Sequence, residues 1–380
     1  MSLPHDAALP QAGTLLDVAR TAPLLERSLG RPARLGHVAV ARVAYKPGLR
    51  LRVHYEVVID GRMENAVATA LAKRDLAAMA RRPALVELAR RVDGRSPAVK
   101  PIVHERAVDA LLTWLPFDPR LPALAQLSNH VIVPDSYCPG SRIVLRRGEH
   151  ILKAYGKERA YDRAVAGLRM AAESPLRTPD LVECIPRLRV TAQTAVAGSV
   201  PTPEAAAGRA GALVRRLQSA QLTAPRVVDA EALLAMAADK AALASFVVPE
   251  LELRLASLLE RLRTTVPATD ELHPAHGDFD ADQLVETENG EHVVLDFDDA
   301  CLAPAALDLA TYLTDVVIRG GEIETCRRSL LAGYGPEPPG LDWYLAAVAV
   351  SRAPQPFQRQ ARDWPAGVER IVRAAEEVLR

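Results

Sequence analysis

The residues whose types and spacing invite a chemical reading lie between His276 and Asp299. The segment runs His276-Gly277-Asp278-Phe279-Asp280-Ala281-Asp282-Gln283, crosses a polar turn at Glu288-Asn289-Gly290-Glu291, and continues as His292-Val293-Val294-Leu295-Asp296-Phe297-Asp298-Asp299. Because His276-Gly277-Asp278 follows Pro274 and breaks any helical or strand period, Asp278 and Gln283 are expected on a loop. His292 to Leu295 is a short β-branched apolar run, which predicts a buried strand that ends on Asp296. One acid on a loop, an amide oxygen five residues on and a second acid at the end of the next strand is the set that phosphoryl transfer uses. It supplies a base beside the attacking hydroxyl and two oxygen ligands for magnesium. Magnesium takes oxygen ligands at about 2.0–2.1 Å in an octahedron, and a carboxylate with a side-chain carbonyl meets that need without a dedicated cage.

Three motifs in order carry a family resemblance: His276-Gly277-Asp278-Phe279 with Gln283, then Leu295-Asp296-Phe297-Asp298, then Pro304 with Asp308-Leu309-Ala310. In these the chain resembles the aminoglycoside phosphotransferase and choline kinase-like family, part of the wider protein-kinase-like fold. The resemblance implies an α+β, bilobal fold with a small antiparallel-sheet lobe and a helical lobe. It implies Mg2+ with ATP or GTP, and transfer of the γ-phosphoryl group to a hydroxyl of an aminoglycoside, sugar or amino alcohol type of acceptor. Asp278 is then the catalytic base, Gln283 and Asp296 the metal ligands, and Asp298 the best spare ligand. His276 shapes the loop through a hydrogen bond. Asp308 suits the start of a helix on dipole grounds, and by resemblance it braces the catalytic loop. The chain departs from most of the family at Gln283, where Asn is usual, and at Asp280, where His is usual. Gln at this position also occurs in the maltokinase and glucosamine kinase branch; it lengthens the ligand arm by one methylene, roughly 1.5 Å.

The bulk numbers set the surroundings. At 380 residues the chain exceeds one ordinary domain, so two or three folding units are expected. Its 47 basic and 47 acidic residues cancel, which argues against a nucleic-acid surface as the main function. The four cysteines, Cys138, Cys184, Cys301 and Cys326, are scattered without a Cys-x-x-Cys pair, as expected of a reduced cytoplasmic protein without structural zinc. No signal-like amino terminus and no run of ~18 apolar residues suggests a membrane partner. A monomer or homodimer is expected.

Ahead of the motifs, the chain passes twice through one pattern. An amphipathic helix over 15–30 precedes strands over 38–48, 51–59 and 65–73, with Asp60-Gly61 as a hairpin turn. A helix follows from Asp75 to Val92. From near residue 129, Val131-Ile132-Val133-Pro134-Asp135-Ser136-Tyr137-Cys138-Pro139-Gly140-Ser141-Arg142 repeats the Tyr45-Lys46-Pro47-Gly48-Leu49-Arg50 theme, and a turn, a strand through Lys153 and a helix over 158–172 follow. Tyr45 to Tyr137 spans 92 residues, Lys73 to Lys153 spans 80, and Trp114-Leu115-Pro116 to Ala195-Val196-Ala197 spans 81. Residues 1–127 are therefore expected to form an extra domain resembling a duplicated small lobe, 128–197 the working nucleotide-binding lobe, and 198–380 the helical catalytic and acceptor lobe.

In the working copy Lys153 stands on an apolar strand, where it is expected to pair the nucleotide phosphates and to be held by Glu158 or Asp162 of the next helix. Gly140-Ser141 would cover the phosphates. The stretch holding Gln193 and Ala195 would be the hinge at the adenine edge. Helices are expected over 204–221, 229–246, 250–264, 305–318, 322–334, 341–350 and 366–380. Arg352, Arg359 and Arg362 lie where the family closes its acceptor site, and could bind an anionic acceptor or cap helices. Two rivals stand beside the small-molecule kinase: a kinase of peptide Ser or Thr, with the amino-terminal unit as a leader-binding surface, and a nucleotide-binding pseudokinase.

Overall fold

The chain from residue 35 to 71 is a meander because its apolar residues alternate and its turns carry residues that accept positive φ. β1 (Leu35–Lys46), β2 (Arg50–Ile59) and β3 (Arg62–Leu71) pair antiparallel. The β2–β3 hairpin closes through the Ile59↔Arg62 pair over Asp60 (φ 50°) and Gly61 (φ 82°), a two-residue turn whose twist matches the flanking strands. The computed structural model describes residues 4–127, 134–268 and 271–380, so the Val131–Val133 start of the second pattern lies outside the described residues. It divides into two compact units. One is Met1–Tyr161 with Cys184–Ala192 and Phe357–Arg362; the other is Asp162–Glu183, Gln193–Pro356 and Asp363–Arg380.

In the first unit, α1 (Ala12–Leu16) and α2 (Val18–Ser28) precede β1. The single helix expected from Asp75 to Val92 is instead two: α3 (Leu76–Ala80), capped by the Asp75 carboxylate on the Ala78 N–H at 2.8 Å, and α4 (Pro83–Arg91). The break falls at Pro83, which has no N–H to donate and sits comfortably only in a first turn. β4 (Ile102–Glu105) and β5 (Ala110–Trp114) complete a sheet of order β1-β2-β3-β5-β4. After α5 (Leu124–Leu127), a second sheet is built from β6 (Ser136–Cys138), β7 (Arg142–Arg147), β8 (His150–Tyr155), β9 (Leu181–Ile185) and β10 (Val190–Thr194), with α6 (Glu158–Glu173) between β8 and β9. Its order, β6-β7-β8-β10-β9, repeats that of the first sheet.

The repeat extends to register. Tyr45↔Leu51 and Lys46↔Arg50 in one hairpin match Tyr137↔Ile143 and Cys138↔Arg142 in the other. Counting on from there, Arg52↔Thr69 matches Val144↔Lys153, so Thr69, and not Lys73, occupies the place of Lys153. Lys73 lies beyond the end of β3 in a turn with φ 55°, which corrects the equivalence drawn from sequence offsets. Each hairpin is also tied to the segment before it by the same latch. Asp6 accepts hydrogen bonds from the Tyr45 hydroxyl (2.7 Å) and the Gly48 N–H (2.8 Å); Asp118 accepts from the Tyr137 hydroxyl (2.7 Å) and the Gly140 N–H (2.7 Å). Both aspartates open an Asp-x-x-Leu-Pro run, Asp6 to Pro10 and Asp118 to Pro122. For Asp6, burial pushes the carboxyl pKa up, but the donors on it prevail and hold it below its usual range.

The two sheets share apolar packing. Val67, Leu115, Leu121 and Leu124 from the amino-terminal part are buried in one cluster with Tyr137, Ile143, Leu145, Ala154 and Val190. Full burial of each large aliphatic there is worth about 1.5–3 kcal/mol. Because Ile143 and Leu145 alternate with Val144, the cluster occupies the face of the second sheet opposite the one carrying Lys153.

The second unit is helical: α7 (Pro203–Gln218), α8 (Ala230–Val247), α9 (Glu252–Thr264), α10 (Ala306–Arg319), α11 (Ile323–Tyr334), α12 (Leu341–Arg352), then α13 (Gln355–Gln358) and α14 (Trp364–Val378). α10 is buried at every position from Ala306 to Val317. α14 sets Val368, Ile371, Val372 and Ala375 into the core, and Arg370 donates to the carbonyls of Val317 (3.1 Å) and Ile318 (3.0 Å) at the carboxyl end of α10. Two short hairpins carry the motif segment: β11 (His273–Ala275) with β14 (Cys301–Ala303), and β12 (Leu284–Glu286) with β13 (His292–Val294). No described helix is long and apolar enough to cross a membrane.

Removing the second latch should be costly. Asp118→Ala strands a buried hydroxyl and a buried N–H, for an expected loss of about 3 kcal/mol in urea unfolding. Tyr137→Phe in that background should cost nothing further, since its orphan is gone; strict additivity of the two changes would show that the latch bonds carry no stability.

Candidate active site

β11 delivers His276 and Gly277 to Asp308, which lies in the first turn of α10 and is wholly buried. Its Oδ2 accepts the His276 N–H at 2.8 Å and its Oδ1 the Gly277 N–H at 2.9 Å. Burial pushes the Asp308 pKa up, while His276 and these two N–H bonds pull it back. The His276 ring donates from Nε2 to the Leu295 carbonyl at 2.7 Å, so Nδ1 is left to accept the Asp278 N–H at 3.3 Å. Phe279 and Phe297 meet the imidazole edge-on, with centroids 5.5 and 4.7 Å away. His276 is thus bonded to Asp308, to Leu295 and to the Asp278 N–H. Gly277 is required by its φ of +81° and by the Asp299 carbonyl, which a Cβ would approach to 2.2 Å.

Asp278 projects from this loop half-exposed, its Oδ1 held by the Arg352 guanidinium at the end of α12. The other arm of Arg352 lies 3.7 Å from Asp280 Oδ2. Asp280 is buried, and burial first, then the neighbouring Asp278 and Asp315 charges, pushes its pKa up to about 7. Beside it Arg319 bridges Asp282 (2.6 Å) and Asp315 (2.8 Å).

Gln283 and Asp296 are brought together by the hairpin: the Leu295 N–H donates to the Gln283 carbonyl at 2.8 Å, continuing the Leu284↔Val294 pairing, and Asp296 follows at once with φ 59°. Asp298 is buried in the next turn. Among the described residues no group of three or more His, Cys, Asp or Glu side chains makes a metal cage. The amide and carboxylate pair nonetheless suits magnesium, which keeps waters and takes phosphate oxygens for its remaining positions.

A cavity of about 340 Å³ opens beside Asp278, walled by Leu233, Thr311 and Val348 and by the charged side chains Arg163, Arg226, Asp299 and Arg352. Arg226 Nη2 holds the Asp299 carboxylate at 3.1 Å and its carbonyl at 3.0 Å; Arg163 Nη2 lies 3.5 Å from the same carboxylate. The Nε atoms of Arg163 and Arg226 are buried with no protein acceptor. Sequence reading anticipated Arg352 but not Arg163 or Arg226, which come from α6 and from the segment before α8 and carry no motif.

The remaining candidates belong to the two sheet-forming segments. Gly140 and Ser141 form the β6–β7 turn, where the Ser141 carbonyl accepts the Gly156 N–H at 2.6 Å. Lys153 is buried on β8 opposite Val144, whereas Glu158 and Asp162 are both exposed in the first turns of α6. Gln193 is buried on β10, and Ala195 lies just past its end.

Asp280 should govern a pH-dependent part of stability. In the unfolded chain it ionises near 3.8 and in the fold near 7, so the folded state holds the extra proton between those values. The stability it contributes is complete below pH ~4 and is lost as pH rises toward ~7. Asp280→Asn should match wild type near pH 4 and exceed it by about 2–4 kcal/mol at pH 8; parallel stability–pH curves for the two proteins would refute this.

The model of the phosphotransferase enzyme family (APH) matches residues 138–344, more than half of the chain. Among solved structures, a choline/ethanolamine kinase family protein from Mesorhizobium loti aligns with a TM-score of 0.50 and 16% identity, covering 67% of this chain and 90% of that one. The choline kinase LicA from Streptococcus pneumoniae aligns at 0.47 and 10%, covering 67% and 95%. An aminoglycoside phosphotransferase from Streptomyces rimosus aligns at 0.44 and 18%, covering 55% and 89%. No curated protein matches the sequence. With its matched motifs and its small sheet lobe and helical lobe, the chain belongs to the phosphotransferase enzyme family and is a phosphotransferase with an alcohol group as acceptor.

Proposed function

We propose that the chain transfers the γ-phosphoryl group of ATP, taken with Mg2+, to a hydroxyl of a small uncharged or anionic molecule. The observation that carries the reading is Asp278, held on a loop clamped by Asp308 and facing a cavity large enough for a small acceptor. Asp278 orients the acceptor hydroxyl and takes its proton as oxygen attacks phosphorus. Arg352 fixes the carboxylate that does so. Gln283 and Asp296 would hold the metal, with Asp298 as a spare ligand; bound there, Mg2+ would neutralise charge on the β- and γ-phosphates. Lys153 steadies the phosphates under the Gly140-Ser141 turn, and the backbone near Gln193 and Ala195 receives the base. The exposure of Glu158 and Asp162 weakens both as partners for the buried Lys153.

The cavity walls bear on the acceptor class. A polycation or a quaternary ammonium calls for free carboxylates or an aromatic box. Among the described residues lining this cavity there is no aromatic side chain, and the two carboxylates, Asp278 and Asp299, are already paired with arginines. Sugars and hydroxy acids thus fit better than aminoglycosides or choline. A peptide Ser or Thr acceptor stays as the second reading, since Asp278 serves any hydroxyl.

An ADP-release screen across sugars, hydroxy acids, Ser/Thr peptides, aminoglycosides and choline should give turnover with the first two classes. Turnover confined to the cationic acceptors would reverse the class assignment. Asp278→Asn should lower kcat by at least about 10²–10⁴-fold while Mg-ATP still raises Tm by mass action; full turnover in that variant would remove Asp278 from its role.

A further inference from the structure

The first sheet has a cavity of its own, of about 340 Å³, within the range of small-molecule sites of roughly 300–1,000 Å³. Strand pairing places Arg52, Thr69, Leu111 and Ile102 on a single face of that sheet, and all four line the cavity. By register this face corresponds to the Lys153 face of the second sheet, with Thr69 in the lysine's place. Thr69 places no cation there, and the space beside it has not been filled. Met79 and Leu85 wall it from α3 and α4, and the Pro139-Gly140 turn closes it.

Its polar lining is cationic. Arg52, Arg82 and Arg120 line the cavity with a single carboxylate, Asp118. Asp118 is already occupied, Oδ1 by the Arg120 N–H at 2.8 Å and Oδ2 by the Tyr137 hydroxyl and the Gly140 N–H. Arg52 has a long bond, 3.4 Å from Nη1 to the Pro139 carbonyl. Burial, then the nearby Arg50 charge, depresses its pKa; Asp118 opposes the fall and Arg120 adds to it. A guanidinium so desolvated gains most from a carboxylate that fits its planar fork. Apart from Thr69, Thr113 and Tyr137, the rest of the lining is apolar and would take an apolar body.

We propose that the amino-terminal domain binds a small amphipathic carboxylate in this cavity, the carboxylate on Arg52 and the apolar body against Leu85, Ile102 and Leu111. The site is distinct from that of phosphoryl transfer. A ligand there engages the turn that holds Gly140 as well, because a Cβ on Gly140 would lie 2.7 Å from Arg52 Nη1 and 3.0 Å from Arg120 Cδ.

The test is binding without turnover, so its failure leaves the phosphotransferase reading untouched. Isothermal titration and thermal shift of the full chain are run with octanoate, decanoate and phenylbutyrate, and with decanol and decylamine as matched neutral and cationic probes. Carboxylates should bind and raise Tm, the alcohol and amine should not, and Arg52→Gln should weaken carboxylate binding at least tenfold. Should Arg52→Gln fold poorly, Leu111→Trp fills the cavity from the other side and should abolish binding with Tm retained. No binding of any carboxylate at millimolar concentration, or equal affinity in wild type and Leu111→Trp, overturns the proposal.

Discussion

The catalytic segment depends on one buried carboxylate. Asp308 has no access to water, and each of its oxygens takes a backbone N–H from the loop that precedes Asp278. A charge in that position is tolerable only because the first turn of α10 and two donors replace its hydration. The cost of separating them is what fixes the loop. His276 carries the constraint onward, from its own N–H on Asp308 to its ring on the Leu295 carbonyl, so that the Asp278 loop and the strand leading to Asp296 are one bonded assembly. Positioning of this kind supplies much of the acceleration in phosphoryl transfer, where the protein does little covalent chemistry.

The same economy of means recurs in the paired sheets. An aspartate that turns its own chain and reaches a tyrosine hydroxyl and a glycine N–H locks each hairpin to the segment before it. The two sheets agree in order and in hairpin register while differing at one matched position, Thr69 against Lys153. The latch needs only three residues and a turn, and it is the feature the two sheets share most closely.

What was legible in the sequence followed contact distance along the chain. The His276–Asp299 motifs lie within one strand–turn–strand unit, so their types and spacing sufficed. Strands and turns of the amino-terminal sheet were legible from alternation and from Asp60-Gly61, and most helices from their apolar period. The apolar period over 75–92 reads as one helix, and Pro83, which opens α4, is the residue that divides it. Lys73 misled because matching similar offsets ignores the different hairpin lengths in the two copies, Asp60-Gly61 after a ten-residue strand and Gly148 after a six-residue one. The Asp-x-x-Leu-Pro repeat was present in the sequence, yet a five-residue match 112 residues apart has meaning only once both aspartates are seen on the same partners. Arg163 and Arg226 had no signal, because an arginine that reaches a site from a distant element looks like any surface arginine.

The two departures from the family pattern fall at Asp280 and Gln283, and the fold treats them differently. Gln283 is anchored at both ends of its peptide, its N–H on the Asp280 carbonyl at 3.1 Å and its carbonyl on the Leu295 N–H at 2.8 Å. The extra methylene is thus taken up by the side chain alone, without displacing the strand that leads to Asp296. Asp280 changes the electrostatics instead. Its buried carboxyl shares Arg352 with Asp278, so its proton decides whether that guanidinium faces one carboxylate or two. An ionised Asp280 sets a second negative charge beside Arg352, whose guanidinium then lies between two carboxylates. Asp280, a departure from the family pattern in the sequence, is thus coupled to Asp278 through a single arginine.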